Sequence, residues 1–97
     1  MSSYYRFFRN LANPLKTDII SKLKEKDMSV TELVETLNVE QSNLSHALTS
    51  LKNCSIVISK TQGKQRIYSL NKKTILPILG IINDHERKFC KKCAYKK

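Results

Sequence analysis

Gln41, Ser42, Asn43, Ser45, His46 and Thr49 fall within one short stretch, and none of them carries negative charge. Their amides, hydroxyls and imidazole offer hydrogen-bond donors and acceptors at short to medium reach. Groups of this kind suit the base edges and phosphate oxygens of a DNA major groove. A solvated helix face has a similar composition, so the stretch takes its meaning from what surrounds it. A second set is basic: Lys60, Lys64 and Arg66 flank Gly63 in a polar turn. Cations at such a tip would meet phosphates or an adjacent minor groove.

Both sets need elements to hold them. Leu44, Ala47, Leu48 and Leu51 recur at i, i+3, i+4 and i+7 through the polar stretch. That spacing predicts a helix from about Gln41 with the polar residues on its opposite face. Upstream, Ser29 and Glu32 have the S-x-x-E spacing of a capping box, in which the hydroxyl accepts from the Glu32 N–H and the carboxylate reaches back. Leu33, Val34 and Leu37 give the capped helix a narrow apolar stripe, and Asn38-Val39-Glu40 interrupts the pattern between the two helices. Residues 29–52 therefore read as a helix-turn-helix. Ile56-Val57-Ile58 is β-branched throughout, Thr61 to Gln65 is a turn, and Arg66-Ile67-Tyr68-Ser69-Leu70 alternates. Residues 56–70 are thus a hairpin, placed where a wing would be.

The flanks are apolar. Tyr4, Phe7, Phe8 and Leu11 predict an amphipathic helix over 3–12 with an aromatic face. Pro14 opens a second helix, whose buried stripe is Leu15, Ile19, Ile20 and Leu23, and Lys26-Asp27-Met28 is a loop. Asn71 or Thr74 can cap a last helix over 74–95, with Ile75, Ile78, Leu79, Ile82, Phe89 and Cys93 on one face and Leu76 and Ile81 widening it. One domain of this size cannot cover that much apolar surface with its own chain, and a partner helix is the economical explanation. The expected homodimer interface comprises Tyr4, Phe7, Phe8, Ile75, Ile78, Leu79, Ile82 and Phe89. Helices 3–12 and 74–95 are the dimerisation elements of a domain spanning 1–97.

Eighteen lysines and arginines against eight acids give a formal net charge of +10. From Gln41 to Asn83 there is no acidic residue, while Lys52, Lys60, Lys64, Arg66, Lys72 and Lys73 all lie there. An anionic partner would meet an unopposed positive field. No apolar run approaches transmembrane length and no signal peptide is visible, so no membrane role is expected. Three cysteines in a lysine-rich chain fit a reducing interior, and a cytoplasmic location is expected.

The order helix, helix, helix-turn-helix, hairpin, helix resembles the winged-helix repressors of the ArsR-type (arsenic-repressor-like) family. The resemblance is carried by Leu11-Ala12-Asn13-Pro14, Ile19-Ile20 and Leu23, then by Thr31-Glu32-Leu33 and Leu37. It continues through Gln41-Ser42-Asn43-Leu44-Ser45, Leu48, Leu51, Ile56-Val57 and Arg66-Ile67-Tyr68-Ser69-Leu70. It implies a homodimer joined through first and last helices, with one recognition helix per half-site and a wing on each flank. Two departures stand out. Where the family commonly has Ser-x-His-Leu, this chain has Ser45-His46-Ala47-Leu48, which turns the imidazole about 100° round the helix. The Cys-x-Cys of metal-sensing members is absent from Glu32 to Leu37. Asp84 and His85 lie on the last helix, where some members bind metal, without a matching downstream pair.

Cys90 and Cys93 share a helix face at i, i+3 among Arg87, Lys88, Lys91 and Lys92. In a symmetric dimer, two such pairs would offer four sulfurs to a soft metal. Passive reduced thiols are the plain alternative, so no resident metal or cofactor is expected, and a metal or redox effector is the role left for the pair. His46 and His85 have no legible nucleophile–acid arrangement and no glycine-rich phosphate loop is present, so the chain is not expected to be an enzyme. The expectation is a mainly α fold with a β-hairpin wing. It would bind double-stranded DNA sequence-specifically as a dimeric transcriptional regulator, with repression the expected sense. The alternatives are a winged-helix protein-interaction module in a transcription or nucleoprotein assembly, and a non-specific DNA-coating protein.

Overall fold

Residues 3–89 are described by the computed structural model. Their elements run α1 (Ser3–Leu11), α2 (Pro14–Glu25), β1 (Met28–Ser29), α3 (Val30–Leu37), α4 (Gln41–Asn53), β2 (Val57–Gln62), β3 (Gln65–Leu70) and α5 (Ile75–Phe89). This is the mainly helical, winged arrangement expected from the sequence.

Local chemistry sets most of the boundaries. Asn13 Oδ1 accepts from the Lys16 N–H at 3.1 Å and Pro14 occupies the first turn of α2, where its missing donor is harmless. The capping box opens α3: the Glu32 N–H donates to Ser29 Oγ at 3.1 Å and the Ser29 N–H donates to Glu32 Oε1 at 3.0 Å. Asn38 closes α3 in the left-handed region at φ 53°. Ser55 does the same after α4 at φ 57°, with the Ser55 N–H donating to the Lys52 carbonyl and the Ile56 N–H to the Leu51 carbonyl. Those paired bonds are a Schellman motif, and its customary apolar contact is supplied by Leu51 and Ile56, both fully buried.

Donation from the Ser29 backbone holds the Glu32 carboxyl below its ordinary value of 4.5. Slight burial opposes the shift, while the Lys26 ammonium and the Ser29 hydroxyl add to it. The folded chain thus takes up this proton less readily than the unfolded chain. The resulting stabilisation is present above the ordinary carboxylate value and is lost as pH falls through the lowered one. Glu32→Gln should therefore reduce the loss of stability between neutral pH and acid, read from urea midpoints. Ser29→Ala should destabilise by about 1 kcal/mol at neutral pH, the usual worth of such a cap.

Packing joins the pieces. Helices α2, α3 and α4 rest on one another, with α2 and α3 also against β3 and α4 against β2. Ile19, Leu23, Leu33, Leu44, Leu48, Leu51, Ile56, Val57, Leu70 and Ile75 have their side chains almost wholly removed from water. Three features differ from the sequence expectation. Met28, expected as loop, and Ser29, expected only as a helix cap, add a strand to the hairpin, pairing with Tyr68 and Ile67 and giving the sheet order β1-β3-β2. As the central strand, β3 does not alternate at its end: Tyr68, Ser69 and Leu70 are all buried. The turn is also shorter than expected, because the strands pair as far as Gln62 opposite Gln65 and leave only Gly63-Lys64 between them. Gly63 has φ +64°, the positive value that a glycine-first two-residue hairpin turn requires.

At α5 the sequence face divides in two. Ile75 is 2% exposed and lies in the chain's own core, so it is corrected from an interface residue to a core residue. It is the first residue of α5, beside the Asn71 turn, where the Asn71 side chain donates to the Ser55 carbonyl at 2.9 Å and ties the helix start to the end of α4. Ile78 and Leu79 are half-buried, whereas Ile81, Ile82 and Phe89 are exposed. On α1, Phe7 is half-buried and packs against the core, while Tyr4 and Phe8 stand in solvent.

Candidate nucleic-acid interface

Helix α4 buries Leu44, Ala47, Leu48 and Leu51 and exposes Gln41, Ser42, Asn43, Ser45, His46 and Thr49. The period of the helix alone separates the two sets, since residues three and four apart share a face. Thr49 Oγ1 donates to the Ser45 carbonyl at 2.9 Å, so its hydroxyl is left mainly as an acceptor. The side chains of Gln41, Ser42, Asn43, Ser45 and His46 have no hydrogen-bond partner among the described residues and are open to an incoming ligand. Glu40, at the N-cap of α4, makes no side-chain capping bond.

The hairpin register decides how the basic tip is presented. Thr61 faces Arg66 and Lys60 faces Ile67, so Lys60 and Arg66 project from opposite faces of the ribbon, with Lys64 in the turn between them. All three are exposed. Behind the wing, Lys60 joins Lys72 and Lys73 around a cleft of about 340 Å³ that also contains Ser69 and Asp27. The two added lysines were visible in the acid-free span but not as partners of Lys60. Asp27 lies outside that span and reaches it because β1 is paired to β3.

A second feature had no signal in the sequence. A groove of about 560 Å³ runs between the start of α2 and α4, lined by Asn13, Lys16, Asn43, His46, Ser50 and Asn53 among others. The α2 residues come within reach of the exposed α4 face through the packing of α2 on α4. Beside the groove, Lys16 Nζ donates to Asn10 Oδ1 at 2.8 Å and to Ser50 Oγ at 3.0 Å.

Among the described residues, no cluster of three or more histidine, cysteine or acidic side chains could hold a metal. Asp84 is paired with Arg87, and the His85 ring lies against Phe89 with centroids 5.4 Å apart. Cys90 and Cys93 lie outside the described residues. No helix among those residues is long and apolar enough to cross a membrane.

Comparison with known proteins gives a consistent set. The family model described as bacterial regulatory protein, arsR family, matches residues 13–59. An uncharacterised HTH-type transcriptional regulator of Mycobacterium tuberculosis, Rv0081, is 36% identical over 76 residues, spanning 77% of this chain and 67% of that protein. The transcriptional repressor SdpR of Bacillus subtilis is 30% identical over 64 residues, 66% of this chain and 71% of that one. The crystal structure of M. tuberculosis Rv0081 superposes with a TM-score of 0.77 at 31% identity, covering 87% of this chain and 89% of its own.

Proposed function

The chain belongs to the ArsR family of bacterial regulatory proteins, a family of DNA-binding transcriptional regulators, and from that premise we propose a cytoplasmic repressor that grips duplex DNA as a two-fold dimer. In this reading α4 is the recognition helix. Gln41, Asn43, Ser45 and His46 approach base edges, while Ser42 and Thr49 serve bases or phosphates. Lys60, Lys64 and Arg66 carry the wing contacts, and the opposite faces of Lys60 and Arg66 suit two neighbouring phosphates better than one. The observation that carries the reading is the exposed polar face of α4, unpartnered except at Thr49, held over a well-packed core and flanked by the acid-free wing.

The dimer face is assigned to Tyr4, Phe7 and Phe8 of α1 with Ile78, Leu79, Ile82 and Phe89 of α5, joined by Ile81. Tyr4, Phe7 and Phe8 line a cleft with Ile78, and Leu11 and Ile20 line another with Leu79 and Ile82, so apolar side chains of α5 meet those of α1 and α2 at two places. A patch of this kind on so small a chain marks an association surface. An effector acting through metal or oxidation would work on Cys90 and Cys93, which follow α5 in the sequence.

Selection of bound molecules from random duplex DNA tests the proposal. Two related half-sites should emerge, centred about 34–36 Å apart or a multiple of that distance. Enrichment of no sequence would favour non-specific coating, and absence of duplex binding would favour the protein-interaction reading.

A further inference from the structure

Beyond the α4 face, a cavity of about 440 Å³ opens between α1 and the end of α4, and its lining is all cation and neutral polar group. Arg6 and Arg9 come from α1, Lys16 from α2, and Ser50, Asn53 and Cys54 from the end of α4, with Asn10 at the base. No acid lines it. The ion pairs among the described residues are Lys26–Glu32 and Arg87–Asp84, so Arg6, Arg9 and Lys16 have no carboxylate partner there.

The cluster is built rather than loosely draped. Asn10 is 6% exposed. Its Oδ1 accepts from Lys16 Nζ at 2.8 Å and from Ser50 Oγ at 2.8 Å, and its Nδ2 donates to Cys54 Sγ at 2.9 Å. Lys16 Nζ also donates to Ser50 Oγ at 3.0 Å, which leaves the ammonium one donor unspent. A half-buried ammonium held by neutral groups alone, with two guanidinium groups on the same cavity, is an uncompensated charge that a bound anion would offset. The C-terminal end of α4 supplies only about half a negative charge, too little for three cations. Guanidinium forks match the oxygens of a phosphate or carboxylate, and a fixed ammonium supplies the point charge.

We propose that this cavity is a binding site for a small oxyanion, a phosphate or carboxylate group seated between Arg6, Arg9 and Lys16. The site spans α1 and α4, so an occupant ties the helix with the exposed aromatic face to the helix with the exposed polar one. Two sources share this chemistry: a backbone phosphate of bound duplex and a free anionic metabolite.

The test is a titration of the full chain with inorganic phosphate, at ionic strength held constant with chloride, followed by backbone amide NMR. Saturable shifts confined to Arg9, Asn10, Lys16, Ser50, Asn53 and Cys54 are expected. An Arg6→Gln, Arg9→Gln double variant should raise the midpoint by about tenfold or more, the scale of one charged hydrogen bond. Both arginines are exposed, so the variant should keep the wild-type fold and amide spectrum elsewhere. Repeating the titration with saturating duplex separates the sources: loss of the phosphate response points to a backbone phosphate, and its persistence to a free anion. Unsaturating shifts spread over the chain's lysines, or an unchanged midpoint in the variant, would overturn the site.

Discussion

Alanine at Gln41 and Asn43 together is expected to leave the protein folded while removing most of its discrimination between a preferred duplex and an unrelated one. Both side chains are exposed on α4 and neither has a partner among the described residues, so their removal disturbs no internal hydrogen bond. A good bidentate amide–base contact is worth about 1–3 kcal/mol, on the order of 5- to 150-fold in preference for each. The wing should behave differently. Replacing Lys60, Lys64 and Arg66 should weaken preferred and unrelated duplexes alike and lower the salt slope by about 0.9 for each phosphate no longer neutralised. Both patterns can be read from binding isotherms on two duplexes at several salt concentrations. If the Gln41, Asn43 double variant keeps its ratio of affinities, α4 is not the reader.

Charge placed on the apolar face should separate the protomers. Phe8 is 62% exposed and Ile82 48%, so Phe8→Glu with Ile82→Glu leaves the core intact while putting two carboxylates where a partner's apolar side chains would sit. An unpaired charge buried at such an interface costs several kcal/mol, more than a small dimer interface can absorb. Light scattering at micromolar concentration should read a dimer for the natural chain and a monomer for the variant. DNA affinity for a two-half-site duplex should fall by about 10²–10⁴-fold, the usual gain from linking two binding modules. Unchanged circular dichroism would show that the variant remains folded. A natural chain that is monomeric and fully folded at that concentration would sink the assignment.

The polar face of α4 was legible because its rules are local. A capping box needs only Ser29 and Glu32 three residues apart, and the two faces of α4 follow from the period that puts Leu44, Ala47, Leu48 and Leu51 on one side. The acid-free span needed only counting. The hairpin was found from the β-branched run Ile56-Val57-Ile58 and the turn at Gly63, although the two-residue extent of that turn required the register.

What the linear pattern left open depended on which distant segments meet. Met28 and Ser29 carry no strand signal by themselves, and they pair because β3 offers them an open edge. Residue period placed Ile75 and Ile82 on the same helix, but only the tertiary packing put the first in the core and left the second exposed. Most telling is the cluster of Asn10, Lys16, Ser50 and Cys54, whose members stand up to 44 positions apart. Each is ordinary in its own stretch. Their union follows from α1 and α2 packing beside α4, and it is enforced because a buried amide must find partners. Short-range hydrogen bonds and periodicity thus specified the elements and the polar face of α4. The sheet edge, the division of the apolar face and the cationic cavity were decided by tertiary packing, where burial and the satisfaction of buried polar groups act between residues far apart in the chain.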